Sequence, residues 1–165
     1  MTGISMIHEF LRQAHVPYSV LPHRPAFTAQ SDAEAAHVPG RRWAKVVVCF
    51  VDGEPIEAVV PAPYDVDLEL LRQLAGGHTI RLAQEQELPR LFPTCEAGAM
   101  PPLGPLFGHA VFVDVALAGE REIVFDGGTH MDAIAMRWPD FARTVKPIVG
   151  RFADRSLDRL ADVPL

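Results

Sequence analysis

Apolar and polar positions alternate along the chain in two rhythms, one with the period of a helix and one with the period of a strand. Near the start, apolar residues recur at helical spacing and predict an amphipathic helix over residues 4–15. Residues 44–51 (AKVVVCFV) and 55–60 (PIEAVV) are rich in β-branched side chains and flank Asp52-Gly53, a pair typical of tight turns. These two segments therefore predict a β-hairpin.

Shorter patterns predict the remaining elements. Helices are expected over residues 30–37, 67–74, 85–91 and 138–144, with another from Ser156, and strands over 18–21, 79–82, 110–115 and 122–126. The last two strands flank a turn-like Ala118-Gly119-Glu120 and are expected to pair with each other. Paired strands with helices between the pairs predict an α+β fold: one domain over residues 1–165 with a mixed, strongly twisted, partly barrel-like β-sheet flanked by helices.

Composition and charge narrow the classes of function. The chain has 165 residues, 48% of them hydrophobic, which suits one globular domain. Its formal net charge of −6 argues against a protein that coats duplex DNA, because such proteins bind phosphates through many Lys and Arg side chains. The sequence shows no secretory signal and no apolar run long enough to cross a membrane, so a cytoplasmic protein without membrane contact is expected.

Sequence motifs for a metal, a cofactor or a covalent nucleophile are missing. The seven histidines show no HxxxH spacing in a helical context and no pairing with the two cysteines, Cys49 and Cys95, so no metal is expected. GxSxG, Walker-type and GxGxxG sequences do not occur, and Cys49 in mid-strand is expected in the core. The sequence therefore predicts no cofactor.

Lys45 is the first residue that the pattern does not explain. Strand alternation places it on the same face as Val47, Cys49 and Val51, and the opposite face is equally apolar, so the strand is expected to be buried on both sides. A lysine at the start of such a strand must either extend its ammonium group to solvent or lie in a pocket. Snorkelling is the more common outcome, and the sequence alone leaves both open.

Residues 93–109 (PTCEAGAMPPLGPLFGH) form the second unusual segment. Four prolines and three glycines without a period predict an ordered loop without a helix or strand of its own. Gly98 would let the backbone approach a ligand closely, and Pro101-Pro102 would stiffen the backbone after them. A rigid connector is the alternative explanation.

Residues 126–130 (DGGTH), at the end of a predicted strand, are the third. The Gly127-Gly128 pair could offer free backbone amides, and Thr129 and His130 could offer polar groups, to an anion or a carbonyl. An ordinary turn with an exposed histidine would have the same sequence.

Taken together, these segments resemble a known family. HRPAFTAQ (23–30), HVPGRRWAK (37–45), GAMPPLG (98–104) and FDGGTH (125–130) are similar in order and spacing to the YbaK/EbsC family, free-standing relatives of the editing insertion domain of bacterial prolyl-tRNA synthetase. The resemblance covers roughly residues 5–150 and depends on the combination of a strand lysine with a GxxPP loop. It implies an aminoacyl-tRNA deacylase, which hydrolyses the ester between a mischarged amino acid and the terminal ribose of tRNA.

The resemblance also implies roles for individual residues. The expected catalytic residues are Lys45, Gly98 and His130. Lys45 matches the lysine that holds the terminal phosphate or ribose, Gly98 lies in the loop that approaches the ester carbonyl, and His130 matches a histidine at the pocket rim. The expected substrate-binding residues are Arg24, Phe27, Thr28, Arg41, Arg42, Ala99, Met100, Pro101, Pro102, Gly127, Gly128 and Thr129. The expected partners are the acceptor end of a mischarged tRNA and, as a second candidate, an aminoacyl-tRNA synthetase. In this family the ribose hydroxyl of the substrate is thought to help activate water.

One departure from the family pattern concerns specificity. Relatives that clear alanine carry an asparagine after the lysine, where this chain has Val46, and strand alternation is expected to turn Val46 away from Lys45. The class of small amino acids (Ala, Ser, Cys or Thr) is therefore as far as the substrate can be specified. Two other functions remain open: a non-catalytic module that binds a tRNA end, a nucleotide or a synthetase, and an esterase of small molecules.

Overall fold

The computed structural model describes residues 3–156, in which helices alternate with short runs of strands. The helices are α1 (Gly3–Gln13), α2 (Ala29–Ala35), α3 (Leu68–Ala75), α4 (Leu88–Leu91), α5 (Gly104–Phe107), α6 (Val115–Ala118) and α7 (Trp138–Val145). The strands are β1 (Ser19–Pro22), β2 (Ala44–Val51), β3 (Glu54–Pro61), β4 (Ile80–Leu82), β5 (Ala110–Asp114), β6 (Glu122–Asp126), β7 (Asp132–Arg137) and β8 (Ile148–Gly150). The α+β class is confirmed. The helix expected from Ser156 lies almost wholly outside the described residues.

A five-stranded mixed sheet in the order β4-β2-β3-β5-β8 forms the larger layer. β2 and β3 are the predicted antiparallel hairpin, and they turn at Asp52 and Gly53, whose φ angles of +50° and +83° suit a type I′ turn. β5 pairs in parallel with both β3 and β8. The mixed character of the sheet is therefore as predicted.

A separate antiparallel sheet has the order β1-β7-β6. The expected pairing of residues 110–115 with 122–126 is wrong, because β6 pairs with β7 while β5 belongs to the larger sheet. β7 was not predicted from the sequence: two of its four buried central residues are alanines, which carry little strand propensity. A bridge between Trp43 and Val124 connects the two sheets, and Trp43 is fully buried there.

The helix ends follow their local chemistry. Asp67 caps α3 by accepting the backbone N–H groups of Glu69 and Leu70, and Gly76 ends it in the left-handed conformation. The expectation of a loop without any element over residues 93–109 is wrong at one point, because Gly104–Phe107 form the single turn of α5, with Pro105 near its start. None of the helices within residues 3–156 combines the length and the apolar character that a membrane crossing requires.

Packing around β2 determines where the candidate site lies. One face of β2 packs Cys49 and Val51 into a core shared with α3, and the other packs Val48 against Phe92 and Met100. The strand is therefore buried on both sides, as predicted. Lys45 lies at its beginning, where the sheet opens toward α2 and the loop that contains Gly98.

Candidate functional site

Two adjoining cavities open around Lys45, and together they are called the lysine cleft. The larger, of about 470 Å³, and the smaller, of about 270 Å³, share Thr28, Ala29 and Lys45 in their walls. The smaller cavity is completed by Phe27, Val46, Gly98, Met100 and Asp126. Five residues predicted to contact substrate therefore meet in one cleft: Phe27, Thr28, Lys45, Gly98 and Met100.

Lys45 lies in a pocket and also reaches solvent, so it combines both outcomes that the sequence left open. Its side chain lines the cleft and is 23% exposed, and its Nζ lies 3.6 Å from a carboxylate oxygen of Asp65. The Asp65 side chain is 93% exposed, so this ion pair is screened by water and contributes little to stability. The ammonium group is therefore held at the cleft by a partner that an incoming anion can replace.

The loop at Gly98 approaches the cleft in a conformation that favours glycine. Gly98 has a φ of +82°, and a Cβ on it would lie 3.4 Å from Cε1 of His130. Its N–H donates to the sulfur of Met100 at 3.2 Å, and the N–H of Ala99 donates to the carbonyl of Glu96 at 3.0 Å. The loop is thus a compact turn that is already hydrogen-bonded.

The glycine pair after β6, Gly127-Gly128, is hydrogen-bonded to this loop. The N–H of Gly127 donates to the carbonyl of Asp132, and the N–H of Gly128 donates to that of Ala99. Gly128 in turn accepts from the N–H of Glu96 at 2.9 Å. The expectation that Gly127 and Gly128 offer free amides to a ligand is therefore wrong, because the fold uses both amides to join the two segments.

His130 is buried, not exposed at a rim. It is 7% exposed, its Nε2–H donates to the carbonyl of Ala97 at 2.7 Å, and its backbone N–H donates to the carboxylate of Glu96 at 3.0 Å. Its ring also packs against Phe27, with ring centroids 5.2 Å apart. These contacts make His130 a support for the loop around Gly98.

Phe27 and Thr28 present different surfaces to the cleft. Phe27 is 75% exposed, which is unusual for a large aromatic side chain and leaves one ring face open. The hydroxyl of Thr28 accepts the N–H of Ser31 at 3.0 Å as the N-cap of α2, and it donates to the hydroxyl of Ser31 at 2.7 Å. Thr28 therefore fixes the start of α2 in the cleft wall, while the exposed ring of Phe27 is free to stack on a ligand.

The other predicted binding residues lie around the cleft. Arg41 pairs with Glu120 at 3.5 Å, Arg42 is half-buried and Arg24 is exposed. Thr129 donates its hydroxyl to Asp132 at 2.9 Å within its own turn. Three residues of the proline loop are buried behind the cleft wall: Ala99, Pro101 and Pro102. Contact of these residues with a substrate stays a prediction.

Val46 does not face away from the cleft as strand alternation suggested. It lines the smaller cavity together with Lys45 and Met100, because β2 begins at the open edge of the sheet. Val46 therefore contributes apolar surface to the part of the cleft next to the lysine, and its identity bears directly on what the cavity accepts.

A buried polar group below the cleft was not predicted from the sequence. His23, Asp32 and Asp126 each direct a side-chain atom to a common point, with those atoms within 4.8 Å of one another. Burial raises the pKa of Asp126 to about 9, and the nearby charge of Asp32 contributes to this rise. Burial also raises the pKa of Asp32. The three residues belong to separate segments, so no spacing rule could have connected them.

The structure is thus an α+β domain in which a strand lysine lies in a cleft beside a glycine-proline loop. The chain belongs to the aminoacyl-tRNA editing domain family, whose model matches residues 23–144. No match is found among curated proteins.

Solved structures share the fold. The hypothetical protein APE2540 is similar with a TM-score of 0.81 and 18% identity, covering 90% of this chain and 99% of that one. A proposed trans-editing enzyme for prolyl-tRNA synthetase is similar with a TM-score of 0.78 and 20% identity, covering 93% and 98%. A proposed signal transduction protein from Marinobacter aquaeolei VT8 has a TM-score of 0.70 and 19% identity, covering 96% of this chain and 35% of its own.

Proposed function

We propose that this protein is an aminoacyl-tRNA deacylase that acts in trans, hydrolysing the ester of a tRNA mischarged with a small amino acid. The observation that carries the proposal is the lysine cleft, where Lys45 and the loop at Gly98 line one cavity. Membership of the aminoacyl-tRNA editing domain family supports it.

Lys45 is the residue suited to hold the acceptor end. A tRNA terminus brings a phosphate and a ribose, and an ammonium group in a partly buried cleft attracts the phosphate more strongly than one in bulk water. Its present partner, Asp65, is exposed, so exchanging that carboxylate for a phosphate costs little. Lys45 would thereby fix the ester relative to the loop, and such orientation lowers the barrier by several kcal/mol in well-aligned systems.

Phe27 is suited to hold the terminal base. Single-stranded nucleotides are commonly bound by stacking on aromatic side chains, which requires an open ring face. Phe27 is 75% exposed at the smaller cavity and packs on His130 with a centroid distance of 5.2 Å. A base on Phe27 and a phosphate on Lys45 would leave the ester between them, beside Gly98.

The chemistry is addition of water to an ester carbonyl. Water attacks the carbonyl carbon, the tetrahedral intermediate carries an oxyanion, and the C–O bond to the ribose breaks as the ribose oxygen takes a proton. A cysteine nucleophile is disfavoured, since burial raises the pKa values of Cys49 and Cys95 to about 11 and keeps both as thiols. The protein's part is therefore to position the ester and the water, with the ribose hydroxyl of the substrate as the candidate activating group.

The cavity beside Lys45 favours a small side chain. Its volume is about 270 Å³, part of which the ribose and ester must fill, and Val46 and Met100 line it with apolar atoms. Apolar pockets separate small side chains weakly, by roughly ten- to two-hundredfold for one methylene. We therefore assign the class Ala, Ser, Cys or Thr and not one member of it.

The test is a deacylation screen with a panel of tRNAs, each charged with one amino acid. Catalytic release of a small amino acid from at least one tRNA is expected, with larger side chains released more slowly. Protection of every ester from spontaneous hydrolysis would instead indicate a binding module. Equal turnover of simple amino-acid esters would indicate a small-molecule esterase, and either result would overturn the proposal.

A further inference from the structure

We propose that His23, Asp32 and Asp126 form a binding site for one divalent transition-metal ion below the lysine cleft. The site is independent of the proposed deacylase function, because it follows from the side chains themselves. His23 follows β1, Asp32 lies in α2 and Asp126 ends β6, so the fold brings together ligands from three segments.

The three ligand atoms are close enough to share an ion. All lie within 4.8 Å of one another, and a metal bound at about 2.0–2.2 Å from each ligand holds two ligands at most about 4.4 Å apart. Small side-chain rotations therefore complete the contact. One imidazole and two carboxylates suit a first-row ion such as Zn²⁺ or Mn²⁺.

Buried polar atoms that face this point lack hydrogen-bond partners. Asp32 is 0% exposed and Asp126 is 6% exposed. Neither Asp32 oxygen, nor Oδ1 of Asp126, nor Nε2 of His23 has a donor or acceptor partner among residues 3–156, apart from the two carboxyls facing each other. Buried carboxylates are normally paired or bound to a metal, and a divalent cation would neutralise both charges at once.

No lysine or arginine among the described residues forms an ion pair with these carboxyls. One proton shared between the two carboxyls would relieve their repulsion, yet it would leave Nε2 of His23 without a partner. A metal ion satisfies all three residues.

His23 is already oriented as a metal ligand. Its Nδ1 lies 2.7 Å from the carbonyl oxygen of Arg24, and a carbonyl only accepts, so Nδ1 carries the hydrogen. In a neutral ring the lone pair is then on Nε2, the ring nitrogen that is buried without a hydrogen-bond partner. Metal-binding histidines in proteins are typically held by such a hydrogen bond through the other ring nitrogen. The ring also packs edge-on against Trp43, with centroids 6.2 Å apart, which limits its rotation.

An ion can reach the site from the lysine cleft. Asp126 is part of the wall of the smaller cavity, so one of the three ligands is accessible from that side. The ion would then lie below the place proposed for the ester.

The experiment uses the full-length protein treated with a chelator and dialysed. Zn²⁺ and Mn²⁺ are titrated separately by calorimetry and by thermal unfolding, with wild type, Asp32→Asn, Asp126→Asn and His23→Gln. One ion per chain is expected, with a rise in Tm of several degrees at saturation and at least about tenfold weaker binding in each variant. His15→Gln, which changes an exposed histidine elsewhere, is the matched control and should bind as wild type does.

A second measurement needs no variant. Mn²⁺ is paramagnetic and should broaden the NMR signals of the His23 ring well before those of the exposed His15, His37 and His78. Absence of saturable binding below about 1 mM, or broadening that is uniform over the histidines, would show that the two carboxyls share a proton instead and would overturn the proposal. Because these readouts do not use deacylation, their failure is distinct from failure of the proposed function.

Discussion

Gly98 lies directly against the ring of His130: a Cβ on Gly98 would be in contact with Cε1 of the histidine at 3.4 Å, and the φ of +82° would strain any residue with a side chain. The same histidine donates to the carbonyl of Ala97, so the loop and its support are fixed to each other. The conformation of the cleft wall at residue 98 therefore favours glycine.

Gly98→Val should lower deacylation strongly. Valine would adopt the φ of +82° only under strain, and its methyl groups would displace the loop from His130. Displaced polar groups at an ester carbonyl typically cost on the order of 10²–10³ in rate. The measurement is kcat/KM on the charged tRNA that the screen identifies.

Gly76→Val is the matched control for backbone strain. Gly76 has a similar φ of +71°, a Cβ on it would meet no atom within 4 Å, and it ends α3 away from the cleft. The variant should lose similar stability while keeping its rate. Equal rates for the two variants would mean that the loop at Gly98 is only a connector.

Lys45→Met should abolish most of the deacylation while the fold persists. Methionine retains much of the aliphatic stem and removes the ammonium group, and the lost pair with the exposed Asp65 is worth at most about 1 kcal/mol. A loss of at least about 10² in kcat/KM is expected, as for a misplaced substrate. Urea unfolding would be measured on the same samples.

Asp65→Asn distinguishes the role of the Lys45 ammonium group from the role of its ion pair with Asp65. It breaks the pair at 3.6 Å but leaves Lys45 in the cleft, so turnover should be retained and affinity for tRNA should rise slightly. If Asp65→Asn were as inactive as Lys45→Met, the pair and not the lysine would be the functional unit.

Phe27→Ala should weaken the binding of charged tRNA, while the loss of its packing on His130 lowers stability only slightly. The side chain is 75% exposed, and stacking of a base on an aromatic ring is worth about 1–3 kcal/mol, or roughly five- to 150-fold in KM. Phe27→Trp should restore binding because it keeps a stacking face. Leu82→Ala, at an apolar side chain that is 52% exposed elsewhere, should change neither quantity.

The sequence predicted those parts of the structure that depend on neighbouring residues. The hairpin at Asp52-Gly53 and the helix expected over residues 67–74 are local, and both were correct. The partner of β6 could not be predicted in this way, since pairing with β7 or β5 depends on packing over the whole chain. The cluster of His23, Asp32 and Asp126 is non-local in the same sense.

Individual hydrogen bonds could not be predicted from the sequence either. A glycine pair such as Gly127-Gly128 fits a ligand-binding turn and a structural turn equally well, and only the positions of Asp132 and Ala99 show that both amides are used. The resemblance named residues that meet in the lysine cleft, but it placed His130 at the pocket rim, whereas the structure buries this side chain. Burial of that ring follows from Phe27 and Gly98 packing over it.

Glu57 should make the stability of the protein depend on pH. It is fully buried beside His109, and burial, partly offset by a hydrogen bond from His109 Nδ1 at 2.9 Å, raises its pKa to about 7. Because the folded protein binds this proton more tightly than the unfolded chain, the free energy of unfolding should fall as pH rises from about 4.5 to 7. The difference is at most about 3 kcal/mol.

Glu57→Gln tests this assignment. Glutamine can still accept from His109 and carries no charge, so the variant should be more stable than wild type at pH 8 and closer to it at pH 5. Urea unfolding at both values gives the comparison, and Glu54→Gln, at an exposed position of the same strand, is the control. An unchanged pH profile in Glu57→Gln would contradict the raised pKa.

The dependence of tRNA affinity on salt should be shallow. A chain with a net charge of −6 cannot surround a tRNA, and among the predicted basic residues Arg41 is already paired with Glu120 at 3.5 Å. If Lys45 and Arg24 neutralise about one to three phosphates of the single-stranded end, the slope of log affinity against log salt should be roughly −0.7 to −2. Titration of a non-hydrolysable charged tRNA at several salt concentrations measures this slope.

Lys45→Met and Arg24→Ala should each flatten the slope by about 0.7, whereas Arg41→Gln should leave it unchanged. A slope steeper than about −5 would require an extensive tRNA footprint, which is incompatible with recognition of the acceptor end alone.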